Sequence, residues 1–599
     1  MLASIWLLIA GGCLLGWYFL LQRPSRKALG IDSTRVPAGL REGRETPVWL
    51  LYTAQVAVLV GLAPLFSATV AMRYGVLPAI IWTLAGSMLL CALPAMSALW
   101  MTLRTAGKGK GEAPQPLLSG SVRLPASILG WLMAVLMIAV LANTLASTFK
   151  TRMPQPQTID FVTDVDAFEQ ARQDARVLVD APDPSVYVDF AAHEAAVAAD
   201  AMETETRSML GMGVLGLIVI SALLGFLLFK RGAPALPCVA VAVVLAGVMA
   251  WVGTLVPIDQ SRELWNYLLL GYALVCGLVP ARWMSRPRDM IAGILMLLIA
   301  LACTVGAVIS PVKVVQPLTI AVADGTQPML PFLLAATLAG GANALYMLST
   351  PKREGKYVAR EHHAYPIVVG GVLTAAFVGV LVVVASGAFR NFGTISFEHE
   401  YIGPLQVMGS LASLLTGLGI PAQAATLAVM LGFVACGLGA LDVAVRMGGS
   451  LLHGIMVRNE HASTGFPLER MLAVLITVAA ALLMAQIDFW AFWPFVGAVS
   501  LGLCAVALSS VVGWLRAQKR GALLLTVCMV VLAALSLWSG VDTLIARLNA
   551  LSNVASAIPM LVISILLMGL LVGTVALGLL QALRPEKAAP PVPKQEAQA

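Results

Sequence analysis

The stretch PVWLLYTAQVAVLVGLAPLFSATVAM, residues 47–72, decides the fold class. It is an apolar run of 26 residues without a charged side chain, long enough to cross a bilayer as a helix. Gly61 and Pro64 interrupt it near its middle. Four polar residues flank the interruption: Thr53, Gln55, Ser67 and Thr69. An interrupted helix exposes backbone groups to a solute or ion, but Gly and Pro also serve close helix packing, so the stretch predicts a membrane span with a candidate break.

Similar apolar runs recur along the chain. Of its 599 residues, 59% are hydrophobic and 12% are charged, and the mean hydropathy is +0.88, which excludes an ordinary soluble protein. We therefore predict an all-α polytopic membrane protein with about fifteen transmembrane helices. The apolar windows lie near residues 4–22, 47–72, 77–103, 124–149, 208–229, 233–254, 263–281, 289–310, 329–349, 365–387, 423–445, 469–487, 491–515, 521–538 and 555–582.

The basic residues predict the topology. The first window has no basic residue before it and is followed by QRPSRK, which argues against a cleaved signal peptide and favours an N-terminus outside and a C-terminus in the cytoplasm. In this orientation 28 of the 38 Lys and Arg residues lie inside and 10 outside. The net charge of +7 thus reflects topology in a lipid bilayer, and no nucleic-acid partner is expected.

One long polar segment separates the apolar windows. Residues 150–207 hold twelve acidic against five basic residues and fall on the outer side in this topology. They predict an acidic extracytoplasmic insertion, either a small α-rich lobe or a ligand-binding domain, through which a partner protein could bind. The final segment, 583–599, predicts a disordered tail.

Residues that carry catalysis or hold cofactors are scarce in the windows. The eight Cys residues lack CxxC spacing and no window carries paired His residues, so we expect no disulfide framework, metal site, cofactor or enzyme activity. Asp442 and Arg446 are the one clear pair of charges, spaced i,i+4 near the inner end of a helix. They form either a structural ion pair, with Arg446 reaching the interface, or a gate.

Two other windows hold candidate binding residues. LAGGANALYML is a second candidate break, and in WNYLLLGYALVCGLVP the position of Tyr272 is poorly explained by interfacial anchoring. The predicted solute-binding residues are Thr53, Gln55, Gly61, Pro64, Ser67, Tyr272, Gly340, Gly341 and Asn343.

Several motifs occur in a fixed order along the chain. They are LGIDSTRVPAGL (29–40) followed by Gly61 and Pro64, RYGVLPAIIWTLAG (73–86), LLGYALVCGLVPARWMSRPRDM (269–290), DGTQPMLPF (324–332), TPK (350–352), Gly370–Gly371 and the Asp442/Arg446 pair. Together they resemble the carbon-starvation protein A (CstA) family of bacterial inner-membrane transporters. The resemblance implies a secondary transporter that imports a small organic solute, of the peptide or pyruvate class, during carbon limitation and with a coupling cation.

The resemblance also suggests how the chain is organised. We expect an inverted-repeat, LeuT-like core in which 47–72 faces 263–281 or 329–349 as two antiparallel, broken helices. The expected divisions are an anchor helix and basic inner loop at 1–46, core parts at 47–149 and 208–456 around the insertion 150–207, C-terminal helices at 457–582 and the tail 583–599.

Polar side chains of the family are replaced in this chain. The positions concerned are Ala54, Gln55, Pro94, Ala95, Asn343 and Ala375. Proton coupling needs a titratable group in the path, and the sequence predicts none there. The alternative function is therefore a degenerate transporter-like sensor or partner subunit that does not transport.

Overall fold

The computed structural model describes residues 2–34, 36–37, 46–105, 117–118, 120–150, 210–258, 260–319, 334, 340–388, 404–456, 468–486, 493–550 and 558–583. Within these ranges the regular structure is helical apart from one isolated antiparallel bridge between Leu2 and Lys313, which confirms the all-α prediction. Residues 151–207, the motif 324–332 and residues 584–599 lie outside the described ranges. The α-helices are α1 (Ala3–Leu29), α2 (Val48–Val60), α3 (Ala63–Tyr74), α4 (Val76–Ala85), α5 (Ala92–Thr105), α6 (Arg123–Lys150), α7 (Leu210–Phe229), α8 (Ala235–Leu255), α9 (Arg262–Leu278), α10 (Ser285–Ile309), α11 (Asn343–Glu354), α12 (Gly371–Ala388), α13 (Pro404–Thr416), α14 (Ala422–Met456), α15 (Leu468–Met484), α16 (Trp493–Ala517), α17 (Leu523–Ala550) and α18 (Ile558–Leu583).

Many of these helices can span a membrane. In the described ranges eleven helical segments are long and apolar enough to do so, and two shorter apolar helices lie at Val48–Val60 and Val407–Thr416. The protein is therefore a multi-pass membrane protein, whereas the predicted number of about fifteen spans stays a prediction. The eleven segments are Ala3–Lys27, Val76–Arg104, Gly120–Phe149, Leu210–Phe229, Ala235–Leu255, Ser285–Ile309, Glu361–Ala388, Ala422–Met456, Phe495–Ala517, Leu523–Leu548 and Leu561–Leu583.

The predicted break in 47–72 is confirmed. α2 ends at Val60, Gly61 adopts φ 43° and ψ −123°, and α3 begins at Ala63. A side chain is strained at this φ, and a Cβ on Gly61 would lie 2.9 Å from the Cβ of Ala440 on α14. Glycine is therefore needed here both for the turn and for the close approach of α14.

Of the two candidates for the second break, the window 329–349 is the one that holds a turn in its described part. Gly340 to Ala342 form a turn, in which the N–H of Asn343 donates to the carbonyl of Gly340 at 3.2 Å, and α11 starts at Asn343. In contrast, α9 runs without interruption from Arg262 to Leu278, so the candidate break in 263–281 is wrong. The glycines of α9 leave its hydrogen bonds intact; a Cβ on Gly277, for instance, would lie 2.8 Å from Cγ1 of Val474, which shows that this glycine serves close packing.

α2 occupies the centre of the molecule. Residues 53–60 are all buried, because this helix packs against α10, α12 and α14. Apart from Thr53 and Gln55, the side chains in this range are apolar. The approach of α10 is the closest, since a Cβ at Gly293 would lie 1.9 Å from the carbonyl oxygen of Thr53. Backbone therefore meets backbone at this crossing, as small residues allow in membranes.

Other helices surround this centre. α6 packs along the long α14, and α7 and α8 pair at the periphery. The outer face of α8 carries exposed apolar side chains, such as Leu236 (70% exposed) and Trp251 (60%), which fits contact with lipid tails.

The C-terminal end of α1 is held by charged groups. Its last turn closes at Gly30, which has φ 62° and accepts a 2.7 Å hydrogen bond from Arg104 Nη2. The same arginine contacts both carboxylate oxygens of Glu361 at 2.8 Å. This bidentate pair links α5, the loop after α11 and the N-terminal helix.

Candidate functional site

Side-chain contacts join α2 and α11 in antiparallel order. The hydroxyl of Tyr346 lies 3.4 Å from a Cβ position at Gly61, and Gln55 Nε2 donates to Thr350 Oγ1 at 3.0 Å. Residue numbers fall along α2, from 61 to 55, as the numbers of their partners rise along α11, from 346 to 350. The antiparallel relation expected of two facing repeats is therefore present.

About one turn further along α11, the guanidinium of Arg353 joins this helix to α2. Arg353 Nη2 donates to the carbonyl of Ala54 at 2.7 Å and lies 3.1 Å from Asp289 Oδ2 on α10. Its Nε lies 3.1 Å from Oε1 of the neighbouring Glu354. Arg353 therefore connects α2, α10 and α11.

Glu354 is also paired to α10. Its Oε2 accepts from Arg286 Nη2 at 2.9 Å, and neither side chain is more than 2% exposed. Arg286 also donates to the carbonyl of Arg353 at 2.9 Å and lies over the ring of Tyr357, 3.7 Å from its centroid. The C-terminal end of α11 is thus fixed to the N-terminal end of α10.

The series of ion pairs continues to α14. Asp289 accepts from its neighbour Arg288 at 2.7 Å, and Arg288 Nη2 lies 3.7 Å from Asp442 Oδ2. On its other oxygen Asp442 accepts from Arg446 Nε at 2.9 Å. Arg446 also donates to the carbonyls of Cys276 and Val279 at the end of α9.

These contacts form one linear, alternating series, which we call the ion-pair network. In order, its members are Arg286, Glu354, Arg353, Asp289, Arg288, Asp442 and Arg446. Each carboxylate lies between two arginines, and Arg288 and Glu354 have no exposed side-chain surface. Buried charges are tolerated only when paired in this way, so the network ties α2, α9, α10, α11 and α14 together.

The network corrects two expectations from the sequence. Asp442 and Arg446 are not the one clear pair of buried charges, since Arg286, Arg288 and Asp289 are at most 2% exposed. Nor does the pair lie near a helix end, because α14 continues for 14 residues beyond Asp442 to Met456. Arg446 donates to the carbonyl of Val279, which follows α9. A sequence signal existed in the charged ends of α10 (SRPRD) and α11 (PKRE), which the hydropathy pattern assigns to loops.

The other predicted site residues fall into separate groups. The hydroxyls of Thr53 and Ser67 donate to backbone carbonyls of their own helices, those of Leu50 and Ala63. Pro64, Gly340 and Gly341 are buried at the two breaks, and the hydroxyl of Tyr272 accepts from Arg288 of the ion-pair network. The structure thus brings Gln55, Gly61 and Tyr272 to α11 and the network, but it does not gather all nine residues.

Asn343 belongs to a third feature that the sequence did not predict. A π-helical segment, Gly86–Cys91, joins α4 to α5. Three successive carbonyls in it accept side-chain donors: Met88 from Trp17, Leu89 from Cys528 and Leu90 from Asn343, the last at 2.8 Å. Such segments are often found at functional sites, and this one anchors the start of α11.

Three alanines that the resemblance places where the family has polar side chains are closely packed. Ala54, Ala95 and Ala375 are at most 2% exposed. In the described ranges no three His, Cys, Asp or Glu side chains are grouped as metal ligands. Beside the ion-pair network, the described core also buries Gln55, Asn343 and Glu361, the partner of Arg104.

Comparison with known proteins identifies the family. The family model for carbon starvation protein CstA matches residues 5–403. This chain belongs to the CstA family. The match ends before α13, so Asp442 and Arg446 lie outside it.

Individual relatives of this CstA family member are distant. It is 22% identical over 396 residues to the peptide transporter CstA of Escherichia coli (strain K12), and 22% identical over 402 residues to the pyruvate/proton symporter BtsT of the same strain. These alignments cover 64% of this chain but 50% and 49% of the relatives, so the chain spans about half their length. A manganese transporter from Eremococcus coleocola is a similar solved structure, with a TM-score of 0.41 and 12% identity over 93% of this chain and 100% of that one.

Proposed function

We propose that this protein is a secondary transporter of the bacterial inner membrane that imports a small organic solute by alternating access. The observation that carries the proposal is the antiparallel pair of interrupted segments at Gly61 and Gly340, since such breaks form solute sites near the middle of a membrane. Membership of the CstA family supports it.

The solute class comes from the relatives. One is named a peptide transporter and the other a pyruvate/proton symporter, so short peptides and pyruvate are the first solutes to test. The N-terminus would lie outside and the C-terminus in the cytoplasm, which brings the ion-pair network toward the cytoplasmic side of the core.

Buried carboxylates make cation coupling feasible. The sequence predicts no titratable group in the path, but Asp289, Glu354 and Asp442 are buried in the core. Asp289 approaches α14 at Gly439, next to the Ala440 that approaches Gly61. A carboxylate released from its arginine partners could accept a proton, and intramembrane carboxylates serve as proton carriers in other transporters. We propose a proton as the coupling cation.

The second candidate is a sensor or partner subunit without transport. It is favoured by the close packing of Ala54, Ala95 and Ala375, where the family has polar groups. The acidic segment 150–207 would then bind the partner protein.

Uptake by purified full-length protein in liposomes separates the two candidates. A transporter should accumulate labelled pyruvate or dialanine, more so when an alkaline interior drives proton symport. Gly61→Ala should abolish uptake because its φ of 43° and the 2.9 Å approach of Ala440 oppose a side chain. Gly247→Ala on α8, where a Cβ meets nothing within 4 Å, is the matched control.

The result against transport is equally clear. Folded wild-type protein that accumulates none of these solutes under any gradient would reject the first candidate. Retained binding of a membrane partner that is lost on removal of 155–205 would favour the sensor.

A further inference from the structure

One end of the ion-pair network holds buried donors that have no hydrogen-bond partner among the described residues. The network holds four arginines and three carboxylates, so it carries one surplus positive charge. At the α14 end Arg446 is satisfied by Asp442 and two backbone carbonyls. At the other end, Nη1 of Arg286 is buried and finds no hydrogen-bond partner in the described part of the chain. Buried guanidinium N–H groups are rarely left in this state.

A second guanidinium at this end has the same property. Nη1 of Arg353 is also buried without a hydrogen-bond partner among the residues that the structure describes. Arg286 and Arg353 approach the two oxygens of Glu354, at 2.9 Å and 3.1 Å. Two guanidinium groups with unused donors therefore lie around one carboxylate, whose Oε1 contacts Arg353 as an ion pair but also has no hydrogen-bond partner among the described residues.

A buried acceptor without a hydrogen-bond partner among the described residues lies on α2. Oε1 of Gln55 is buried with no partner within the described ranges, while its Nε2 is held by Thr350. Ala54, the preceding residue, accepts from Arg353. Gln55 and Arg353 therefore both join α2 to α11, one turn apart along α11.

We propose that Arg286 and Arg353 bind the carboxylate of the transported solute, an inference that rests on the proposed function. A carboxylate accepts two parallel N–H bonds from a guanidinium fork, and its charge would cancel the surplus of the network. Glu354 and the solute would then be two carboxylates shared by two arginines. A 2-oxo acid and the C-terminus of a short peptide offer the same group, and Gln55 Oε1 offers an acceptor for a peptide N–H.

Competition in liposomes tests the proposal. Uptake of the labelled solute is inhibited with pyruvate or pyruvamide, and with dialanine or dialanine amide. In wild-type protein the free carboxylate should inhibit at a concentration lower by about tenfold or more, because hydrogen bonds between charged groups are the strong ones. Arg286→Gln should bring this ratio close to one, and Arg286→Lys should lower it only in part.

Controls separate recognition from folding. Arg516→Gln removes an arginine that donates to the carbonyl of Ala582, away from the network, and should keep the wild-type ratio. The double variant Arg286→Gln/Glu354→Gln leaves every remaining charge of the network paired and should still lose the preference. An unchanged ratio in folded Arg286→Gln, Arg286→Lys or the double variant, or a wild-type ratio near one, would overturn the proposal.

A final measurement distinguishes failure of this site from failure of transport. If wild-type protein takes up neither solute, the transport proposal fails. A melting temperature raised by pyruvate or dialanine but not by their amides, and insensitive to both in Arg286→Gln, would still support the carboxylate site. No rise with either acid in wild-type protein would reject it.

Discussion

Asp442 lies between two arginines, and its removal should therefore expose two positive charges to each other. Asp442→Asn leaves Arg288 and Arg446 without this shared partner, and breaking a buried ion pair typically costs about 3–5 kcal/mol. We expect lower folded yield and a lower melting temperature in detergent. Asp442→Asn/Arg446→Gln should recover part of the loss, because it removes Arg446, which pairs with Asp442, whereas Arg288 keeps Asp289 as a partner.

An exposed carboxylate provides the control for this experiment. Glu469 lies 4.0 Å from His453 and its side chain is 61% exposed, so Glu469→Gln should leave the melting temperature almost unchanged. A double variant that folds but does not transport would indicate a coupling role for Asp442. Full stability of Asp442→Asn would contradict the buried position of this carboxylate.

At the scale of residues, the sequence predicts the Asp442–Arg446 pair but not the rest of the network. Two charges spaced i,i+4 within an apolar window can be recognised, since the pairing follows from one helix, whereas the depth of the pair in the core does not. Arg286, Arg288 and Arg353 lie at helix ends, where sequence does not distinguish a side chain that faces water from one inserted between helices. Their burial depends on the crossing of α10 and α11, which involves residues far apart in the chain.

At the scale of elements, the crossing of α2 and α10 is the tightest constraint on the core. Gly293→Ala would place a Cβ 1.9 Å from the carbonyl oxygen of Thr53, and this backbone atom cannot rotate away. Overpacking a core typically costs about 1–3 kcal/mol, so we expect a clear loss of thermal stability. Gly569→Ala on α18, where a Cβ meets no atom within 4 Å, should fold as wild type, and equal stability of the two variants would mean that α10 lies further from α2.

The broken helices illustrate what can be predicted about elements. Gly61 and Pro64 in one apolar window predict the first break. Glycine readily adopts the positive φ of a turn, and proline removes a backbone N–H donor from the helix. The second break could not be assigned to one window, since both candidates contain glycines. Gly277 of α9 serves packing against Val474, whereas Gly340 forms a turn, and only the surrounding helices distinguish these uses.

At the scale of the whole molecule, topology remains a prediction from the distribution of basic residues. Ser185→Cys, in the acidic segment, should be labelled by a membrane-impermeant thiol reagent in intact spheroplasts of a Cys13→Ser background. Gln595→Cys in the tail should be labelled only after lysis. The opposite pattern would invert the protein in the membrane and bring the ion-pair network to the outer side.

The division of the chain into core and additional helices also stays a prediction. The family match over 5–403 spans α1 to α12, and α13 to α18 follow it. Hydropathy counts apolar windows well but does not indicate which of them pack around a shared centre. That information resides in contacts such as those between α14 and α2, which join the two regions.

The π-helical segment Gly86–Cys91 contains, in effect, one inserted residue. A helix advances by about 100° per residue, so the insertion changes the phase of α5 relative to α4 by about that angle. Arg104, which stacks 4.4 Å from the ring centroid of Trp100 and pairs with Glu361, faces its partner only in the shifted phase. Deletion of a single residue such as Ser87 would restore a regular helix and turn α5 away from its partners, so this helix should tolerate substitutions better than a change in length.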